Sequence, residues 1–187
     1  MKILVLYGTT EGQTRKVAEY IAGALQDDDV MLVDAVDAPR DLDLASFDAA
    51  ILAGSLHAHH YQHPLIAFAR HHRDRLNQIR SLFVSVSLTA AGHDPDDREG
   101  LATCAEAFVA DTGWTPGQIL HVAGAFRFTE YDFFKGWVMR LIAKEKKVEV
   151  DPHRDLELTD WPALTKDIKA FRAGVETPIN PSTVRSR

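Results

Sequence analysis

The sequence predicts a three-layer, doubly wound α/β domain built on a parallel five-stranded sheet. Three observations predict it. Short apolar runs at residues 3–7, 30–33, 49–53, 82–86 and 119–123 alternate with stretches of helical periodicity. The runs have little polar interruption, as expected of strands covered on both faces. The first run also opens into Gly8-Thr9-Thr10-Glu11-Gly12-Gln13-Thr14, a short hydroxylated loop ahead of a helix. Ligands of such sheets bind beyond the carboxyl ends of the strands, which is where this loop falls.

The helix after the first strand carries Val17, Ala18, Ile21 and Leu25 on one face. Backbone N–H groups at a helix N-terminus lack intrahelical partners and sit at the positive end of its dipole. The loop 8–14 therefore suits a phosphate, with threonine hydroxyls as further donors. It has no lysine or arginine before Arg15, and it carries Glu11. Both the Gly-x-x-x-x-Gly-Lys pattern of nucleoside triphosphate loops and the Gly-x-Gly-x-x-Gly pattern of dinucleotide loops are missing. One reading is a single phosphomonoester held by neutral donors, such as that of flavin mononucleotide. The other is an ordinary strand–helix turn with a threonine cap.

The remaining elements follow in order. The second strand, 30–33, leads into an acidic connection at 37–46 that contains Pro39. The third, 49–53, ends at Gly54-Ser55. Pro64 fits the first turn of a helix, and Leu65, Phe68, Ala69, His72, Leu76 and Ile79 mark one continuous face of it. After the fourth strand, 82–86, Leu101, Cys104, Ala105 and Phe108 lie on a helix ending near Gly113. The fifth strand is 119–123. Loops 8–14, 54–63 and 87–96 leave the strand ends together, so a phosphate on the first places a flat ring against the other two.

With 187 residues the chain predicts one domain over 1–174 and a loose tail over 175–187. The formal net charge of −6 argues against nucleic acid as a partner. The single cysteine, Cys104, has no internal disulfide partner and is expected to be buried on its helix. Lys2 is followed by too short an apolar run for a secretory signal, and no run approaches the ~20 residues of a membrane span, so a cytoplasmic protein is expected.

Five short motifs resemble those of flavodoxin-type FMN proteins and, among these, the quinone-dependent protoporphyrinogen oxidase family. They are residues 8–14; Gly54-Ser55-Leu56 with His60-Tyr61; Ser85-Val86-Ser87-Leu88; Gly124-Ala125-Phe126-Arg127; and Thr159-Asp160-Trp161. The resemblance runs from residue 1 to about 172 and rests on the order and spacing of the motifs. It implies a flavodoxin-like fold of strand order 2-1-3-4-5 with FMN at the strand ends. It also implies oxidation of protoporphyrinogen IX to protoporphyrin IX in haem synthesis, with menaquinone or ubiquinone accepting the electrons. On this resemblance Thr9, Thr10, Glu11, Gly12, Gln13 and Thr14 hold the phosphate. Ser55, Leu56, His57, Ala58, His59, His60 and Tyr61 flank the ring with Ser87, Leu88, Thr89, Ala90 and Ala91. The flavin carries the chemistry, so no side chain is assigned as catalytic. Arg127 and Lys135 are candidates for the substrate's propionates.

The chain departs from the pattern in two places. Residues 88–91 contain no aromatic ring, and 57–60 read His-Ala-His-His where the oxidase family more often has an arginine and an aromatic residue. Tyr61 is then the candidate to stack on the flavin. A flavin with one open face suits a large planar substrate or a quinone.

After Arg127 the alternation breaks, and a helical insertion over about 127–155 is expected. Within 130–147, Phe133, Phe134, Trp137, Val138, Leu141 and Ile142 form an apolar face beside a basic one. Such a helix packs on its own domain, on a membrane surface as a peripheral contact, or on a second copy of the chain. The histidines at 57, 59, 60 and 63 have no acidic or cysteine ligand in a metal-site spacing, so no metal is expected. Two other functions use the same loops: a flavodoxin-type electron carrier or NAD(P)H:quinone oxidoreductase, and a flavin-free binding module.

Overall fold

A computed structural model of the chain describes residues 1–92, 94–126 and 156–175. Its centre is a parallel sheet of β1 (Lys2–Gly8), β2 (Asp29–Asp34), β3 (Ala49–Ser55), β4 (Arg80–Ser87) and β5 (Gln118–Ala123). The order is β2-β1-β3-β4-β5, as the resemblance implied. The register sets Ile3 beside Val30 and Ala49, and it brings Gly8 level with Gly54 at the carboxyl ends.

Alternation along the strands builds two cores, one on each face. Ile3, Val5, Ile51, Leu82 and Val84 face one way, onto Val17 and Ile21 of α1 (Gln13–Ala24) and Ile168 and Phe171 of α5 (Trp161–Val175). Leu4, Leu6, Leu52 and Phe83 face the other way. They meet Leu65 and Phe68 of α2 (His63–His71) and Phe108 of α4 (Pro95–Thr112). Each such side chain contributes about 1.5–3 kcal/mol on burial, and two of the serines that β4 buries, Ser81 and Ser85, are each hydrogen-bonded to an aromatic side chain of the second core. Phe83 and Phe108 stack 4.4 Å apart, and the fully buried Trp114 donates its indole N–H to the Ser81 Oγ at 3.0 Å.

The expected continuous helix from Pro64 to Ile79 is corrected by the structure. α2 ends at His71, His72 leaves helical geometry (φ −101°, ψ 10°), and a short α3 (Arg73–Leu76) follows. Tertiary contacts override the local periodicity. Arg75 donates to the carbonyls of Leu44 and Phe47, and Leu76 and Ile79 pack with those two residues in the second core. Ile79 thus lies beyond the helix, in the approach to β4.

After β5 the chain forms β6 (Ala125–Phe126), which pairs antiparallel with β7 (Leu156–Glu157). The expected helical insertion lies between these strands, outside the described residues. Residue 175, read as the start of a loose tail, is the last of α5, and 176–187 also lie outside the described residues. Among the described residues, no helix is long and apolar enough to cross a membrane.

Candidate functional site

β1 has β2 on one side and β3 on the other, so the chain turns in opposite directions after β1 and after β3. A crevice opens between the two loops. On its first side, Gly12 N–H donates to the Thr9 Oγ1 at 2.9 Å, and Gly12 turns the chain into α1 at φ 90°, in the left-handed region that favours glycine. No side chain caps α1. By contrast, Asp94 accepts from the Asp96 N–H at the start of α4, and Asp160 accepts from the Ala163 N–H at the start of α5. α2 also lacks a side-chain cap, but the open amino end of α1 follows a glycine turn at the carboxyl end of β1, where an anion could be accepted.

The second side is a tight turn at 57–60. His57 and His60 exchange backbone hydrogen bonds of 3.0 and 2.9 Å, and Ala58 (φ 48°) and His59 (φ 67°) between them both have positive φ. Two consecutive positive φ angles between mutually bonded ends make the mirror-image hairpin turn that normally selects asparagine and glycine. Gln62 ties the two sides together. Its side-chain amide donates to the Thr10 Oγ1 (3.0 Å) and the Ser55 carbonyl (2.9 Å), and its oxygen accepts from the Ser55 N–H (3.1 Å). Gly54 permits this packing: a Cβ there would lie 2.6 Å from Leu65 Cδ2 and 2.9 Å from Tyr61 Cδ1.

The resulting cleft has a volume of about 380 Å³. Thr9, Glu11, Gln13, Ser55, Leu56, His57, Ala58, His59, Ser87, Leu88 and Thr89 line it, together with Val86, Gly124 and Ala125. The third wall is held from behind. Gln13 donates to Glu157 Oε1 (2.9 Å) and the Thr159 Oγ1 (3.2 Å), Lys16 pairs with Glu157, and the Thr159 hydroxyl donates to the Ala123 carbonyl (2.6 Å). Burial raises the Glu157 carboxyl, but the bonds from Lys16, Thr159 and Gln13 outweigh it and hold the group below its ordinary value.

The structure brings most of the predicted site residues to the cleft and separates others from it. Thr10 is engaged by Gln62, Gly12 is the left-handed cap, Thr14 is buried, and His60 closes the hairpin turn on the exposed side. Ala90 and Ala91, expected beside the ring, instead line a second cavity with β5 and α5. Tyr61, expected to stack on the flavin, lies in the core beneath the loop. It is 7% exposed, edge-on to Phe83 and Phe108, with its hydroxyl bonded to Ser85 Oγ at 2.9 Å. Burial pushes its phenol up to about 12, so it is a neutral core residue. Arg127 and Lys135 lie outside the described residues. Sequence reasoning missed Gln62 and Glu157. The signal for Gln62 was its position two residues before Pro64, at the start of a helix; Glu157 had none, because its partners Lys16 and Gln13 are 141 and 144 residues away and only Thr159 is near.

Among the described residues, the cleft lining contains no lysine, arginine, phenylalanine, tyrosine or tryptophan, its rings being the imidazoles of His57 and His59, and no group of three or more histidine, cysteine or acidic side chains could hold a metal. A 2-1-3-4-5 parallel sheet with a lysine-free, hydroxyl-rich, glycine-turned loop at its switch point defines a flavodoxin-type domain. The chain belongs to the flavodoxin domain family, whose model matches residues 4–153, and within it to the protoporphyrinogen IX dehydrogenase [quinone] family. It is 31% identical over 166 residues to "Protoporphyrinogen IX dehydrogenase [quinone]" of Escherichia coli (strain K12), covering 86% of this chain and 89% of that one. It is 29% identical over 174 residues to the protein of the same name from Leishmania major, covering 92% and 75%. Among solved structures, a short-chain flavodoxin associated with a bacterial microcompartment superposes with a TM-score of 0.52 at 14% identity, covering 94% of this chain and 99% of that one. At that identity it speaks for the fold alone.

Proposed function

We propose that the cleft binds FMN and that the chain is an oxidoreductase, oxidising protoporphyrinogen IX to protoporphyrin IX with a quinone as electron acceptor. The observation that carries the flavin is the uncapped, left-handed entry into α1 beside Thr9. It leaves backbone donors for a single phosphate at a place with no lysine to serve a longer phosphate chain. The relatives' names carry the substrate and the acceptor.

The donor set fits that group. Thr9, Gly12, Gln13 and Thr14 would hold the phosphate, and Ser55–His59 and Ser87–Thr89 would stand beside the ring. Bound flavin supplies the acceptance and release of electron pairs. The chain's own residues bind and orient. Gln62 keeps the phosphate side and the ring side at fixed separation, and the Glu157–Gln13–Thr159 group keeps the wall at Gly124 in place. A lining without phenylalanine, tyrosine or tryptophan leaves room for a planar tetrapyrrole or a quinone to reach the ring. Arg127 and Lys135 are proposed for the substrate carboxylates, and residues 130–147 for contact with the cytoplasmic face of a membrane or with a second copy.

The test is anaerobic. Protoporphyrinogen IX added to the FMN-loaded protein should bleach the flavin absorbance, and menaquinone or ubiquinone should restore it. A flavin that protoporphyrinogen leaves oxidised, while NADH or NADPH reduces it, would move the chain to the NAD(P)H:quinone reductases. A purified chain that takes up no flavin would make it a binding module.

A further inference from the structure

The turn at 57–60 holds one side chain in a way the flavin reading does not require. His59 lines the cleft from a positive-φ position, and its imidazole Nδ1 lies 3.5 Å from the Sγ of Cys104 on α4. Cys104 is 8% exposed and shares its helix face with Leu101, Ala105 and Phe108, all core residues. The thiol is therefore fixed by the packing of α4 against β4, through the Phe83–Phe108 stack. The backbone of His59, an exposed residue 45 positions earlier in the chain, is held by the bonded ends of its turn, and the contact to Cys104 holds its imidazole.

We infer that Cys104 is a positioning residue for His59: its thiol donates to Nδ1 and so keeps the ring proton on Nε2, making the imidazole a donor of fixed orientation in the cleft. A neutral imidazole has one donor and one acceptor nitrogen, and a hydrogen bond to one decides which carries the proton. Burial raises the Cys104 thiol, which favours the S–H form that can donate. A fixed donor on this wall suits an oxygen or nitrogen acceptor of a planar heterocycle. That use rests on the proposal that the cleft takes a flavin; the pairing itself does not.

The experiment is nitrogen NMR on the full chain with 15N-labelled histidine, at a pH where His59 is neutral. In the unaltered protein His59 should show a protonated Nε2 and an unprotonated, hydrogen-bonded Nδ1. Cys104→Ala should release Nδ1 and reveal a second population protonated there, and Cys104→Ser should restore the single form. A wild-type ring protonated on Nδ1, or a tautomer indifferent to Cys104→Ala in a variant that keeps its native spectrum, overturns the inference. FMN titration reads the consequence separately. Cys104→Ala should weaken FMN about three- to tenfold, as for one hydrogen bond, and should do nothing further in a His59→Ala background. Equal weakening in both backgrounds would show that Cys104 acts through packing and not through His59. Absence of FMN binding in the unaltered protein would refute the flavin reading while the NMR result still decides the pairing.

Discussion

The two loops that frame the cleft solve one geometric problem in opposite ways. After β1 the chain needs a left-handed residue and uses Gly12, whose missing Cβ meets nothing within 4 Å. After β3 it needs two in succession and uses Ala58 and His59, residues that rarely adopt φ of 48° and 67°. The first loop is relaxed and presents backbone. The second is strained and presents side chains, above a core residue, Tyr61. Strain retained beside a cleft suggests that the side chains it aims are in use, and the Cys104 contact to His59 is the device that fits.

The largest effect expected from probing this contrast lies under the second loop. Tyr61→Ala should cost about 3–5 kcal/mol in urea unfolding, as large-to-small changes in a packed core do. Its FMN affinity, measured on the folded fraction, should stay within about threefold of the parent. A large loss of affinity without loss of stability would restore Tyr61 to the ring face. Next comes the mirrored pair of substitutions. Gly12→Ala should destabilise by about 1–2 kcal/mol, because an alanine is strained at that φ even with open space around it. Ala58→Gly should stabilise by up to about 1 kcal/mol, relief of strain exceeding the added freedom of the unfolded chain. Denaturation midpoints of the two variants should therefore move in opposite directions.

The smallest effect belongs to the buttress behind the first loop. The Glu157 carboxyl sits below its ordinary value in the folded chain, so its stabilisation is complete above the unfolded value of about 4.3 and is lost as pH falls through the folded one. Thermal melts from neutral to acid pH should show a shallower loss for Glu157→Gln than for the parent. Lys16 is largely exposed, so screening keeps the difference small.

The sequence made the sheet, its two-sided core and the first loop legible because each depends on local spacing: apolar runs, a helical face, a glycine ahead of a helix. What it hid was set at long range. The break at His72 comes from α3 turning to the carbonyls of Leu44 and Phe47. Tyr61 looked available because it follows an exposed turn, yet the side chain reverses into the core once Phe83, Ser85 and Phe108 surround it. Gln62 joins Thr10 to Ser55 across 52 and 7 residues, a bridge no periodicity announces.

The most direct test of the central claim, a flavin mononucleotide site with its phosphate on the first loop, is a fluorescence titration of the chain with FMN and with riboflavin, which lacks the phosphate. A phosphate on the first loop predicts FMN binding at least about tenfold tighter, with that advantage shrinking in Gly12→Ala. Equal affinity for the two ligands, or a Gly12→Ala variant that weakens both alike, would contradict it.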